Sequence, residues 1–140
     1  MILLERSYSF SASHLYWRRE WSAGRNFEVF GKCSIRPAHG HNYRLTVRVR
    51  GLADPETGYL IDLAALDQIV RSAVVERLDH RHINSALAEF GEGGRIPTTE
   101  NLVQWVAAEI SEQLPPGNRL EELRLEEDDR LASLWRSEEV

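Results

Sequence analysis

The residues best suited to chemistry are concentrated in one short stretch, Cys33–Tyr43. It contains the only cysteine of the chain and two of its five histidines, His39 and His41. Side chains two positions apart on an extended strand point to the same face, so these two imidazoles can be presented together to one metal ion. Five residues separate Cys33 from His39, which is close enough for the thiol to reach the same pocket. The pattern predicts a site that combines imidazoles with a thiol.

A third histidine, His14, ends an earlier stretch in which apolar and polar residues alternate. Such alternation predicts a strand, and a second strand follows His39 and His41. If the two strands pair antiparallel, the end of the first lies beside the start of the second. Three neutral imidazoles with an open fourth position are the donors of a catalytic zinc site. The sequence therefore predicts Zn²⁺ bound by His14, His39 and His41.

Cys33 allows two interpretations that the sequence leaves open. As a fourth zinc ligand, it would make the site structural. Beside an open site, it would instead be a base or a nucleophile, and its neighbours Lys32 and Arg36 would lower the pKa of the thiol.

Two acidic positions complete the candidate site. Asp79 precedes His80, a carboxylate and an imidazole that together can work as an acid and base. Glu127 shares the strand parity of Leu125, so we expect it to point inward from the acidic run 126–129. A carboxylate there could accept paired N–H donors, such as the guanidine-like edge of a pterin or guanine ring. His82 is expected to be a surface residue.

The elements that must position these residues follow from periodicity and caps. Residues 15–38 are expected to form a long irregular loop that is ordered by its aromatic residues. Asp62 and Thr98 or Thr99 are expected to cap two helices. The predicted strands are 2–13, 43–50, 123–127 and 131–135, and the predicted helices are 63–77 and 98–114. The order β-β-α-α-β-β predicts an α+β fold, a four-stranded antiparallel sheet with two helices on one face.

Composition limits the class of protein. With 140 residues, 28% of them charged, and a net charge of −5, the chain is expected to form a single domain over 1–140 that binds no nucleic acid. A lone cysteine and the lack of a signal-like or membrane-length apolar run predict a cytoplasmic protein that does not enter membranes. Four short strands leave two sheet edges unpaired, which predicts a homo-oligomer.

Together these features resemble the family of 6-pyruvoyl-tetrahydropterin synthases and 6-carboxytetrahydropterin synthases. The similarity extends along nearly the whole chain. The segments that carry it are Phe10–His14, Phe30–Cys33, His39–Tyr43, Asp54–Gly58, Leu78–His80 and Pro97–Asn101.

The resemblance implies a T-fold subunit, in which three subunits close a barrel and two barrels stack into a homohexamer with sites between subunits. It implies 7,8-dihydroneopterin triphosphate as the substrate. The implied residues are the zinc ligands His14, His39 and His41, the catalytic set Cys33, Asp79 and His80, and the pterin-binding residues Glu127, Thr98 and Thr99. The family's glutamate is usually followed by threonine, whereas Asp128 follows here, so Glu126 is the alternative anchor. Strand parity and the spacing to Trp135 favour Glu127.

The implied activity is zinc-dependent elimination of triphosphate that yields a 6-pyruvoyl pterin, with Lys32, Arg25 or Arg36 as candidates to hold the triphosphate. One alternative is the carboxy enzyme of the queuosine route, which uses the same substrate and also releases acetaldehyde. The five-residue gap between Cys33 and His39 favours the pyruvoyl reaction, because the carboxy enzymes usually have a shorter gap. A second alternative is a non-catalytic, zinc-stabilised module that binds a pterin or purine.

Overall fold

A computed structural model describes residues 1–138 of the chain. The last two residues of the predicted domain lie outside the described residues. The sheet has five strands in the order β3-β1-β2-β4-β5. They are β1 (Ile2–His14), β2 (His39–Gly51), β3 (Arg81–His82), β4 (Arg119–Asp128) and β5 (Leu131–Arg136).

The expected antiparallel pairing is present, β1 ends one residue beyond its predicted end, and β2 begins at His39 rather than at residue 43. β1 pairs with β2, β2 with β4 and β4 with β5, all antiparallel. The prediction of four strands was incomplete, because the two residues of β3 add a short parallel strand beside Ala12 and Ser13. Two residues are too few to show the alternation on which sequence patterns depend.

The helices are α1 (Ala23–Phe30), α2 (Leu63–Val70), α3 (Glu76–Leu78), α4 (Ile83–Ala86) and α5 (Thr99–Ser111). Residues of α2 and α5 join the core with the sheet, whereas α1 has a single buried residue, Asn26. A π-helical turn over Arg71–Val75 joins α2 to α3, so the predicted helix from residue 63 continues through Leu78. Asp62 and Thr98 cap α2 and α5 with their side chains, as expected. The residues predicted to be irregular, 15–38, were assigned wrongly in part, because they include α1 and a 3₁₀ turn over Gly31–Ser34.

The core lies between the sheet and helices α2 and α5. Tyr43, Leu45 and Leu125 of the sheet are almost fully buried, as are Leu66 and Leu102 of the helices. Every second residue of β1 and β2 faces this core. The side chains on that face therefore form a continuous row that runs from the core to the end of the sheet. Among the described residues, no helix combines the length and the apolar character that crossing a membrane requires.

Candidate active site

The candidate site forms where β1 ends and β2 begins. His14 is the last residue of β1, and it pairs directly with His39, the first residue of β2. His41 lies opposite Ala12, one step further into the sheet. The predicted meeting of two strand ends is therefore present, and it follows from antiparallel pairing across the loop between them.

The three imidazoles form one cluster. The ring centroid of His14 lies 4.7 Å from that of His39 and 4.9 Å from that of His41, and the centroids of His39 and His41 are 4.9 Å apart. The nearest nitrogens are His14 Nε2 and His39 Nε2, at 3.1 Å. Burial, followed by the neighbouring imidazoles, lowers the pKa of His14 to about 3, and burial also lowers the pKa of His39. Both rings are consequently neutral at pH 7, the form that binds metals.

His14 is held in position by Tyr43, a residue that sequence patterns assigned only to the strand. The Tyr43 hydroxyl lies 2.9 Å from His14 Nδ1. Tyr43 is 1% exposed and its ring stacks on Phe10 at 5.1 Å, so the hydroxyl has little freedom to move away. A partner on Nδ1 leaves Nε2 of His14 directed at His39, as is usual for a metal-binding imidazole.

Glu127 reaches the cluster from β4. Its side chain is 6% exposed, and Oε1 lies 3.6 Å from His14 Nδ1 and 3.8 Å from His41 Nε2. Glu126 points to the opposite face, where it contacts Arg124 at 2.7 Å. The parity expected for Glu127 is therefore the one observed. His41 Nε2 is buried without a hydrogen-bond partner among the described residues.

Cys33 approaches the cluster from the other side. It lies in the 3₁₀ turn that follows α1, and its carbonyl accepts a hydrogen bond of 2.8 Å from the backbone of Tyr16. The thiol sulfur lies 3.8 Å from His39 Nε2. Contrary to the effect expected from Lys32 and Arg36, the pKa of the thiol is raised, chiefly by burial and then by the negative charge of Glu127. Both basic side chains are exposed to solvent, which screens their charge.

These donors fit a zinc ion. Two sets have ligand atoms within 4.8 Å of one another, His14 with Cys33 and His39, and His14 with His41 and Glu127. Neutral imidazoles, a thiol and a carboxylate are the ligand types that zinc prefers. The buried, unpartnered nitrogen of His41 fits the same conclusion, because a metal would satisfy it.

Tyr16 is a site residue that no sequence pattern indicated. Its hydroxyl lies 3.3 Å from Glu127 Oε1 and its ring 4.6 Å from the ring of His14. It follows β1 directly, in the segment expected to be irregular, so only its position two residues after His14 could have suggested a shared face.

Asp79 and His80 lie outside the set of side-chain contacts that joins Cys33, the histidines and Glu127. Asp79 accepts a hydrogen bond of 2.9 Å from the Ser11 backbone, which is the largest cause of the lowered pKa of its carboxyl. His80 Nδ1 lies 3.1 Å from Asp79 Oδ1, so the predicted pair is in contact. The His80 side chain is 82% exposed and lines an open depression with Ser11, Asn42 and His41, a member of the histidine cluster. Among the described residues, no contact joins the pair to Cys33.

The two threonines have structural contacts in the subunit. Thr98 accepts a hydrogen bond from the Asn101 backbone at the start of α5. Thr99 is 1% exposed, and its hydroxyl lies 2.7 Å from Ser133 of β5, which pairs with Leu125 two residues before Glu127.

The basic residues considered for the triphosphate are exposed. The guanidinium of Arg25 lies 4.4 Å above Trp21, and that of Arg36 lies 4.6 Å above Trp17 and contacts Glu92. Lys32 is also exposed, in the turn that carries Cys33.

Fold and site together define a class, an α+β T-fold subunit with a three-histidine pocket at the end of its sheet. A family model described as 6-pyruvoyl tetrahydropterin synthase matches residues 3–137. A 6-pyruvoyl tetrahydrobiopterin synthase of Pongo abelii is 34% identical over 96% of this chain and 91% of its own length. The structure of the Caenorhabditis elegans 6-pyruvoyl tetrahydropterin synthase superposes with a TM-score of 0.88 at 30% identity, covering 98% of this chain and 96% of that one. A dihydroneopterin monophosphate aldolase of Pyrococcus furiosus is 32% identical over 84% of this chain and 82% of its own length.

The chain therefore belongs to the 6-pyruvoyl tetrahydropterin synthase family. The resemblance and the fold class expected from the sequence are confirmed, and the protein is an enzyme of the lyase type that its relatives' names describe.

Proposed function

We propose that the protein converts 7,8-dihydroneopterin triphosphate into a 6-pyruvoyl pterin with elimination of triphosphate. The observation that carries this proposal is the placement of two different groups around one cluster of histidines. The Cys33 thiol lies 3.8 Å from His39 on one side, and the Glu127 carboxylate lies within 3.8 Å of His14 and His41 on the other. A pterin held at Glu127 would direct its side chain past the imidazoles toward the thiol.

His14, His39 and His41 would hold Zn²⁺, which when bound supplies Lewis acidity to hydroxyls of the substrate side chain. Glu127 would accept two N–H groups from the pterin ring, with Thr98 and Thr99 supporting that end of the pocket. Family membership, the neutral His14 and His39 and the orphaned nitrogen of His41 support this assignment.

Cys33 would act as the base. It takes a proton from the side-chain carbon adjacent to the ring, and the electron pair of that C–H bond reduces the neighbouring C=N of the pterin. The ring then takes up a proton while the hydroxyl on that carbon loses its own, which leaves a ketone. A second proton is lost from the next side-chain carbon as the C–O bond to triphosphate breaks, and the enol formed takes up a proton at its terminal carbon to give the pyruvoyl group. The side chain is oxidised as the ring is reduced, so no external oxidant is required. Burial, followed by the charge of Glu127, raises the pKa of the free thiol, so the protonated form predominates at pH 7 in the subunit without metal.

Asp79 and His80 would return protons from a neighbouring subunit. His80 is in contact with Asp79 and exposed on the outer face, where another subunit can approach it. This arrangement requires a homo-oligomer, and a homohexamer built from two trimers is the assembly we propose. Exposed Arg25, Lys32 and Arg36 remain the candidates for the triphosphate.

The proposal is tested by incubating the zinc-loaded protein with 7,8-dihydroneopterin triphosphate and identifying the products by mass spectrometry. A 6-pyruvoyl pterin with triphosphate is the expected result. A 6-carboxy pterin with acetaldehyde would show that the protein catalyses the carboxy reaction instead of the pyruvoyl reaction. A pterin shortened by carbon–carbon cleavage with its phosphates retained on the fragment would indicate an aldolase, and unchanged substrate would exclude all three.

A second candidate function follows from the distance between Cys33 and His39. If Cys33 were a fourth zinc ligand beside His14, His39 and His41, the site would be closed and would serve only to bind a ring. Alkylation of the protein distinguishes the two functions. A free base remains reactive toward iodoacetamide when zinc is present, whereas a ligand is protected by zinc.

A further inference from the structure

We propose that Tyr16 is a specificity-determining residue, whose hydroxyl fixes the Glu127 carboxylate so that it selects rings with two adjacent N–H donors. The inference rests on the proposed function, because it assigns the ring-binding role to Glu127. It concerns the aromatic residue just beyond β1, which neither strand pattern nor motif had placed in the site.

The first step is the hydrogen bonding of Glu127. The side chain is 6% exposed, and the hydroxyl of Tyr16 lies 3.3 Å from Oε1. The imidazole nitrogens of His14 and His41 lie 3.6 Å and 3.8 Å away, beyond hydrogen-bonding distance. Within residues 1–138, the Tyr16 hydroxyl is the donor that fixes this carboxylate.

The second step is the direction of that hydrogen bond. A phenol, with an ordinary pKa of about 10, keeps its proton at physiological pH, and the Tyr16 hydroxyl lies 3.3 Å from Glu127 Oε1. Toward a carboxylate, which only accepts, a protonated phenol acts as a donor. The interaction is therefore a fixed O–H to carboxylate hydrogen bond rather than one that reverses.

The third step is the rigidity of Tyr16. Its backbone N–H donates to the Cys33 carbonyl at 2.8 Å, and its ring contacts His14 and Phe30 at centroid distances of 4.6 Å and 5.9 Å. The donor is thus anchored to the turn that carries the candidate base. A carboxylate has about four acceptor sites, so Tyr16 occupies one on Oε1 and leaves the second site of Oε1 and both sites of Oε2 for a ligand. Glu127 also borders an open groove at the end of the sheet.

The consequence is recognition of the ring edge by charge and geometry together. A pterin offers two adjacent N–H groups to a carboxylate held in one plane. A lumazine offers one N–H beside a carbonyl oxygen, which the carboxylate repels. A carboxylate free to rotate would distinguish the two less well, because it could turn one oxygen away from the lumazine carbonyl.

The test compares 6,7-dimethylpterin with 6,7-dimethyllumazine, which differ at the relevant position, by fluorescence titration at pH 7. Tyr16→Phe keeps the ring that packs on His14 and removes only the hydroxyl. We expect it to weaken pterin binding about tenfold, the effect of one hydrogen bond to a charged group, while lumazine binding changes little. Zinc content and melting temperature should match those of wild type. Tyr59→Phe, at an exposed tyrosine, is the matched control.

A double-mutant cycle with Glu127→Gln separates the possible failures. We expect Tyr16→Phe to have no further effect on pterin binding once Glu127 is replaced. If wild type binds neither ring, the proposed function is wrong. If wild type prefers the pterin and Glu127→Gln removes that preference while Tyr16→Phe does not, the role of Tyr16 is overturned alone. An equal loss for both rings in Tyr16→Phe would likewise overturn it, because it would indicate packing rather than selection.

Discussion

At the scale of single residues, Cys33 distinguishes an enzyme from a zinc-stabilised binding module. We expect Cys33→Ala to retain stoichiometric zinc and lose turnover by several orders of magnitude, because the base is removed while all three imidazoles remain. The measurements are metal analysis of the purified protein and product formation from 7,8-dihydroneopterin triphosphate. Loss of zinc from Cys33→Ala would show instead that the thiol is a ligand. Ser34→Ala, in the same turn, is the control for disturbance of the 3₁₀ geometry.

His41 carries the corresponding prediction for the metal. Its Nε2 is buried without a partner in the described part of the chain, a condition that costs stability unless a ligand satisfies it. Zinc at a hundredfold excess over its dissociation constant should stabilise the protein by about 2.7 kcal/mol, seen as a higher melting temperature that chelator reverses.

His41→Ala should abolish this zinc-dependent shift, and His82→Ala should keep it. His82 is the matched control because its Nδ1 lies 2.9 Å from the Ser13 hydroxyl, outside the cluster. An undiminished shift in His41→Ala would exclude this histidine as a ligand.

At the scale of elements, one carboxylate fastens helix α2 to strand β1. Asp67 accepts two hydrogen bonds from the Arg6 guanidinium, at 2.8 Å and 2.9 Å, and one from the Tyr8 hydroxyl at 2.7 Å. These contacts, chiefly the one from Arg6, lower the pKa of Asp67 below its ordinary value of 3.8. A lowered pKa in the folded state means that the stabilisation is fully present above about pH 4 and is lost as the pH falls further.

Asp67→Asn should therefore reduce the free energy of unfolding by about 1–3 kcal/mol at pH 7, and the difference from wild type should shrink toward pH 2. Urea denaturation at a series of pH values measures both quantities. Glu28→Gln, at an exposed carboxylate of α1, should show neither effect. A difference that stayed constant across the pH range would show that Asp67 contributes through shape rather than charge.

The same scale shows which elements the sequence could predict. β1 from Tyr8 onward and β2 from Tyr43 onward alternate because one face is buried, so the pattern identified both strands, although β2 extends back to His39. The two-residue spacing of His39 and His41 supplied their shared face. Helix α1 has eight residues and only one buried, Asn26. The side-chain amide of Asn26 donates hydrogen bonds from Nδ2 to the carbonyls of residues 18, 21 and 22. These bonds hold the preceding turn in place. The segment is therefore organised by a polar residue, and no apolar stripe was present for a pattern to detect.

Contacts between distant residues were the part of the site that patterns could not supply. The hydrogen bond between Tyr16 and Glu127 spans 111 positions of sequence. Motifs identified the residue types, and strand parity predicted the direction of Glu127. Neither could predict which side chains are in contact across three strands. The structure brings Glu127, Cys33 and the histidines together. Their functional roles stay predictions.

At the scale of the whole molecule, the sheet of one subunit has incomplete edges. β3 pairs only with Ala12 and Ser13, so most of the outer edge of β1 is not covered by it in the described chain. β5 forms the other edge. Exposed edges of this length favour pairing with another copy. An oligomer closed through these edges would also bring other surfaces together, and the exposed His80 is on one of them.

A mixing experiment tests whether the site is shared between copies. Cys33→Ala and His80→Ala should each be inactive as pure oligomers, since each lacks one member of the catalytic set. If Cys33 of one subunit works with His80 of the next, random mixed oligomers should recover about a quarter of wild-type activity, because both intact residues meet at one interface in four.

The variants are co-expressed with different tags and purified by both. Replacing the His80→Ala partner with the Cys33→Ala/His80→Ala double variant should leave the mixture inactive. Mixed oligomers that recover nothing would place Cys33 and His80 in one subunit, because a site confined to one chain cannot be repaired by a partner, and an active pure His80→Ala oligomer would remove His80 from the mechanism.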